Sequence, residues 1–343
     1  MAHSLVTRMK WRFVACVLAL PLCLGIQSAC TQGIPPGAGV SPPARAHDPG
    51  IARVWLPLVY RLEDEGISGP DVDGYFLALG GEITQDPMGR KVREIYRIKF
   101  MQPQPEPYAP PKPPSRKKIY PGVVTEANAQ RCRDFLAANL QYFVRARQLH
   151  GIPPEILVSL LFVETRLGTA IGGGNNAFHT LASMAVSKKP EQIPQWLEKL
   201  PEDYAQRLDW IEELMQKRSE WAYKEMKALV EYVRKYHLDM TAIPGSYYGA
   251  IGYSQFMPTN IEPYGVDSDG KGVIDLFSMS DAVASVANYL AKHGWKPGLS
   301  REAQHKVLKT YNHVDIYPNT ILALADLVKK PARQPHTRKN TKA

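Results

Sequence analysis

Residues 155–167 read EILVSLLFVETRL, and this run constrains the fold more than any other. Ile156, Leu157, Val158, Leu160, Leu161, Phe162 and Val163 cover nearly the whole circumference of a helix. A helix that is apolar all round is buried. Pro153-Pro154 opens it, and proline suits a first turn because its missing N–H has no partner there. Glu164 follows directly and shares a face with positions 157, 160 and 161. The chain must therefore build a core around this segment and hold a carboxyl at its edge. Burial disfavours the charged form and raises the acid's pKa. Two readings follow: a protonated acid that can give its proton to a leaving oxygen, or a structural ion pair with Arg166 or a distant cation.

The remaining pattern is helical. Short periodic stretches cover Ile51–Glu65, Asp71–Leu79 and Lys91–Phe100, and 51–101 reads as a small N-terminal helical region. Residues 102–121 form a linker. Eight prolines fall between Met101 and Pro121, more missing N–H donors than a helix or central strand can absorb. From 122 to 330 helices dominate. Thr125–Leu149 reads as one helix that Gly151 stops. Asn176 can cap a helix over Ala177–Ser187, and Asp203–Tyr236 is a long helical region. Residues 241–275 are rich in Gly, Pro and Asp and read as loops. Helices resume at Asp281–His293, Arg301–Tyr311 and Tyr317–Lys329. No βαβ alternation, phosphate-binding glycine loop or internal repeat occurs. Cys132 reads as a small buried hydrophobe on a helix.

The net charge of +9 sits at the two ends. Arg8, Lys10 and Arg12 carry three charges, and the basic tail 331–343 with Lys329 and Lys330 carries six, so 31–328 is neutral. A neutral core excludes a basic nucleic-acid-binding domain. The tail reads as disordered. At the N-terminus, three cations, an apolar run from Phe13 to Ile26 and Ser28-Ala29-Cys30 follow the order of a secretory signal over residues 1–29. The run is ~14 residues, interrupted by Pro21, against the ~20 that a spanning helix needs. Cys30 is similar to the lipidated cysteine of bacterial lipoproteins, although Gln27 stands where an aliphatic residue is usual. Residues 30–50 then read as a Pro/Gly-rich tether. The expected address is the periplasm, with a lipid anchor in the outer membrane; an uncleaved N-terminal anchor is the other reading of this segment.

Four ordered motifs carry a resemblance. They are Glu164-Thr165-Arg166-Leu167-Gly168, Gly249 to Pro258 (GAIGYSQFMP), Ser285 to Leu290 (SVANYL) with His293-Gly294-Trp295, and Tyr311-Asn312. Together they resemble the MltB-type lytic murein transglycosylases, glycoside hydrolase family 103. The resemblance implies a mostly helical, lysozyme-like α+β fold with a glycan cleft. It also implies cleavage of the β-1,4 bond between N-acetylmuramic acid and N-acetylglucosamine without added water. Glu164 would be the sole acid/base, aided by the muramic N-acetyl group, and the product would be a 1,6-anhydro end. Ser246 matches a serine that hydrogen-bonds the catalytic acid. Gln255, Tyr253, Tyr289, Tyr311 and Asn312 match or line the cleft. Read from residues alone, Tyr289 could equally be core, and Gln255 could satisfy backbone groups. Leu167 stands where family members often carry an aromatic.

Asp267-Ser268-Asp269-Gly270-Lys271-Gly272-Val273-Ile274-Asp275 resembles a calcium loop with ligands at Asp267, Asp269 and Asp275. Asp281 matches a later acid that some members use. Lys271 puts an ammonium where an oxygen ligand belongs, so no cofactor is expected, and Lys271 is expected to replace calcium. The alternative functions are a hydrolytic muramidase, with Asp203 or Glu262 activating water, and a non-catalytic peptidoglycan-binding lipoprotein.

Overall fold

The computed structural model describes residues 47–101 and 118–331. The signal segment, Cys30, most of the tether, residues 102–117 and the tail from 332 lie outside them. The described residues form thirteen α-helices and one two-stranded ribbon. The helices are α1 (Leu56–Asp64), α2 (Pro70–Leu77), α3 (Asp86–Phe100), α4 (Glu126–Ala138), α5 (Leu140–His150), α6 (Pro154–Thr165) and α7 (Ala177–Val186). They continue with α8 (Pro194–Leu197), α9 (Leu208–Tyr236), α10 (Ile261–Tyr264), α11 (Met279–Lys292), α12 (Arg301–Tyr311) and α13 (Ile316–Val328). Strand β1 (Asn175–Asn176) pairs antiparallel with β2 (Pro244–Gly245). No described helix is long and apolar enough to cross a membrane.

Helix α6 is the centre, as its composition requires. Ile156, Leu157, Val158, Leu160, Leu161 and Phe162 are all buried, each contributing about 2 kcal/mol from lost water contact. Helices α4, α5, α11 and α13 surround it. Val163 is only half-buried, because it lies in the last turn, where the helix approaches the surface. A second layer joins α7 to the long α9, and α3 packs on α7, α8 and α9. Residues 51–101 thus share one continuous core with the later helices.

Two local devices follow the sequence reading. The Asn176 side chain accepts from His179 N at 2.9 Å and caps α7, and Gly151 ends α5 in the left-handed conformation. Cys132 is free and buried, and burial pushes its thiol up to about 12. One expectation fails. The helix expected over Thr125–Leu149 is two helices broken at Asn139, whose side-chain amide donates to Phe135 O at 2.9 Å. Asparagine competes for backbone groups in this way and interrupts helices.

Candidate active site

Helix α6 ends in a strained turn. Arg166 and Leu167 both have positive φ, at 53° and 63°, followed by Gly168 at 89°. Left-handed backbone costs a non-glycine residue about 1–2 kcal/mol. The turn is held by Thr165, whose hydroxyl accepts from Gly168 N at 3.0 Å and donates to Tyr253 O at 3.4 Å. Gly168 is required here, because an added Cβ would lie 2.1 Å from Tyr253 Cε1. This contact fastens the 249–257 loop to the end of α6. The loop carries a third strained residue, Gln255, at φ 50°. Strain concentrated in this way is stored where geometry is over-determined by its surroundings.

Glu164 sits in this turn. Its Oε1 accepts from Tyr317 Oη at 2.5 Å. Part of the residue reaches solvent, but its carboxyl is enclosed deeply enough that burial raises its pKa to about 7 against the opposing pull of the Tyr317 hydrogen bond. Tyr311, Tyr317 and Tyr120 ring the carboxyl. Burial pushes all three phenols up, and the Glu164 charge adds to the rise in each. The Tyr311 and Tyr317 rings are nearly parallel, 7° apart with centroids at 6.1 Å. Tyr311 Oη donates to Ser254 O, which ties α12 to the 249–257 loop. Three distant parts of the chain therefore converge on one carboxyl.

The matched residues separate into groups. Tyr289 is buried and its Oη donates to Thr310 O at 2.8 Å. Its ring stacks on His293 at 3.9 Å and meets Tyr264 at 4.7 Å and Tyr311 at 4.9 Å. It supports Tyr311 from behind. Gln255 Nε2 donates to Gly252 O at 2.9 Å, within its own turn. The Ser246 hydroxyl accepts from Tyr248 N at 3.2 Å and Ala250 N at 3.1 Å, so it shapes its own loop, and Glu164 takes its hydrogen bond from Tyr317. Asn312 is exposed at the end of α12. Tyr253 is half-buried against Gly168.

Two residues at the carboxyl escape the sequence reading. Tyr317 opens α13 and reads as plain core, being 153 positions from Glu164. Tyr120 sits at the end of the proline-rich stretch, bolted to α13 by its N–H donating to Thr320 Oγ1 at 2.9 Å.

The second carboxylates considered for a hydrolase lie elsewhere. Asp203 is held by Arg207 and by Tyr96 Oη at 3.1 Å. Glu262 is paired with Lys235 at 3.0 Å. In the calcium-like loop, carboxylate oxygens of Asp267, Asp269 and Asp281 lie within 4.8 Å of one another. Asp267 is already occupied by the N–H groups of Gly270, Lys271 and Gly272. Asp281 accepts from Ser268 N and Asp275 N, both at 2.9 Å, while the Asp275 side chain accepts from Phe277 N. Lys271 Nζ stands 2.9 Å from Asp269 Oδ2 and holds that carboxyl below its usual range. The Lys271 ammonium thus sits beside a cluster of three carboxylates, where a calcium ion would need six or more oxygens.

A family model described as the transglycosylase SLT domain matches residues 97–305, more than half the chain. The chain belongs to this family. It is 32% identical over 154 residues to the membrane-bound lytic murein transglycosylase B of Escherichia coli strain K12. That match covers 45% of this chain and 35% of the relative, so it spans about a third of the relative's length. Among solved structures, the soluble lytic transglycosylase SltB1 of Pseudomonas aeruginosa superposes with a TM-score of 0.57 at 21% identity, over 80% of this chain and 97% of that one. The Escherichia coli lytic transglycosylase Slt35, solved with bulgecin A, gives 0.58 at 19% identity, over 81% and 93%. At these identities the two structures show the fold, the mostly helical lysozyme-like one that the ordered motifs imply.

Proposed function

We propose that this protein is a lytic transglycosylase of peptidoglycan, with Glu164 as its single acid/base. The observation that carries the reading is a carboxyl enclosed at the end of the buried helix α6 and hydrogen-bonded by Tyr317, where burial raises its pKa to about 7. In its protonated form Glu164 would give its proton to the oxygen leaving muramic C1, while the substrate's own N-acetyl group closes on that carbon. The resulting carboxylate would then take the proton of the C6 hydroxyl as that oxygen attacks C1 and displaces the N-acetyl oxygen, whose bond to C1 breaks and restores the acetamide. No water is consumed, the acid returns to its starting state, and the product carries a 1,6-anhydro ring. A single acid whose pKa lies near the working pH can serve both steps.

Tyr317 would steady the carboxylate between the steps, and Tyr311 and Tyr289 would form the wall that keeps it dry. Tyr253, Gln255, Ser246 and Asn312 would bound the glycan. The names of the relatives support the substrate class, and the positions of Asp203 and Glu262 favour this reading over a hydrolase. The reading includes a periplasmic, membrane-associated location with lipid on Cys30. It includes no metal, with Lys271 in the place of a calcium ion. The direct test is Glu164→Gln, which keeps the shape and removes the titratable proton. Loss of about 10²–10⁴-fold of lytic activity in a folded variant supports the role, and retained activity removes Glu164 from the mechanism.

A further inference from the structure

Helix α3 presents a basic face that the reaction does not use. Arg90, Arg93 and Arg97 line a surface pocket of about 320 Å³ with Glu94, and Trp196, Tyr247 and Tyr248 form its aromatic walls. The pocket is built. Trp196 packs directly on Gly89, where an added Cβ would be 2.0 Å from its Cγ. Arg90 is held over the Tyr247 ring at 4.2 Å and near the Trp196 ring at 5.3 Å. Such contacts orient a guanidinium while leaving its edge available.

The charges do not cancel. Asp86 is engaged by Arg90 at 3.4 Å and by Trp196 Nε1 at 3.2 Å. Glu94 is engaged by Lys91 at 2.7 Å and by Tyr248 Oη at 3.2 Å. The half-buried Arg93 and the exposed Arg97 side chains form no ion pair among the described residues, and Arg90 Nε is buried without a hydrogen-bond partner. Buried polar groups are normally satisfied, so Arg90 Nε leaves this pocket one acceptor short, and Arg93 and Arg97 add two cations without an ion-pair partner at its rim.

Its position suggests what supplies the acceptors. Tyr247 and Tyr248 belong to the chain segment that continues into Tyr253, which packs on the turn after Glu164. Five residues span at most about 18 Å even when fully extended, which bounds the separation of Tyr248 and Tyr253. A peptide of four or five residues attached to a sugar beside Glu164 has the same reach. Its free carboxylates match guanidinium forks, which bind such groups in two-point fashion.

We propose that the Arg90–Arg93–Arg97 pocket is a subsite for the carboxylates of an acidic peptide carried on the glycan. The inference rests on the peptidoglycan reading above for its substrate, and its test separates the two. The protein, carrying Glu164→Gln to prevent turnover, is titrated with a soluble tetrapeptide bearing free carboxylates, and binding is followed by tyrosine fluorescence and NMR. Saturable binding that weakens about fivefold for each of Arg93→Ala and Arg97→Ala, and that is lost when the peptide carboxylates are amidated, supports the subsite. No binding, equal binding of the amidated peptide, or equal binding by R93A/R97A overturns it. This result does not depend on whether the wild type cleaves glycan. In turnover, the preference of the wild type for peptide-bearing over peptide-free strands should fall about tenfold in R93A/R97A, and an unchanged preference also overturns the proposal.

Discussion

Tyr317 Oη lies 2.5 Å from Glu164 Oε1, and the two groups push each other's titration in opposite directions. The phenol's hydrogen bond pulls the carboxyl's pKa down while burial drives it up to about 7. The carboxylate in turn drives the already buried phenol higher. The two influences oppose each other: without burial the acid would be ionised at pH 7, and without Tyr317 its pKa would be higher still.

Tyr317→Phe follows from this balance. Removing the donor should raise the Glu164 pKa, because the remaining influence is burial. The alkaline limb of the pH–rate profile, set by the protonated acid, should move to higher pH while kcat falls. A profile that moves toward acid would mean that Tyr317 stabilises the protonated form.

Stability should show the same titration. Glu164 binds its proton more tightly folded than unfolded, so its presence costs nothing below about pH 4, costs progressively more as pH rises toward 7, and levels off above that. Glu164→Gln should match wild type near pH 4 and exceed it by about 3 kcal/mol at pH 8. Chemical denaturation at the two pH values measures this. An equal difference at both would place the ionisation elsewhere.

Gly168→Ala tests the strained turn. The added methyl meets Tyr253 Cε1 at 2.1 Å on a backbone with φ 89°. The variant should lose about 1–3 kcal/mol of stability and lose activity with a changed Tyr253 environment. Full activity would mean that this loop can move without disturbing Glu164.

The Lys271 loop makes a claim about ions. If the ammonium at 2.9 Å from Asp269 replaces calcium, the melting temperature should ignore both calcium and chelator. A bound ion at a hundredfold excess over Kd would add about 2.7 kcal/mol. Lys271→Asp should be less stable without calcium and recover when it is added. A wild-type melting temperature that climbs with micromolar calcium would contradict the substitution.

How much of this was legible beforehand depended on which physical rule governed each part. Helix α6 and the place of Glu164 followed from periodicity, because a segment apolar all round has only one environment open to it. The caps at Asn176 and Gly151 followed from local backbone chemistry. Tyr317 and Tyr120 did not follow, because their role comes from α13 meeting α6, and nothing in the local pattern of IYPNT or KIYPG distinguishes a site phenol from a core ring. Nor did the break at Asn139, since Leu136, Leu140 and Phe143 keep helical spacing across it. The β1–β2 ribbon has two residues per strand, too few for alternation to register.

The central claim is that Glu164 acts alone and without water. Digestion of purified murein in ¹⁸O-labelled water, followed by mass spectrometry of the released fragments, tests it most directly. The account requires fragments one water lighter than hydrolytic products, ending in 1,6-anhydro rings and free of label, with none released by Glu164→Gln. Reducing ends that carry ¹⁸O would contradict it and would require a second group that activates water.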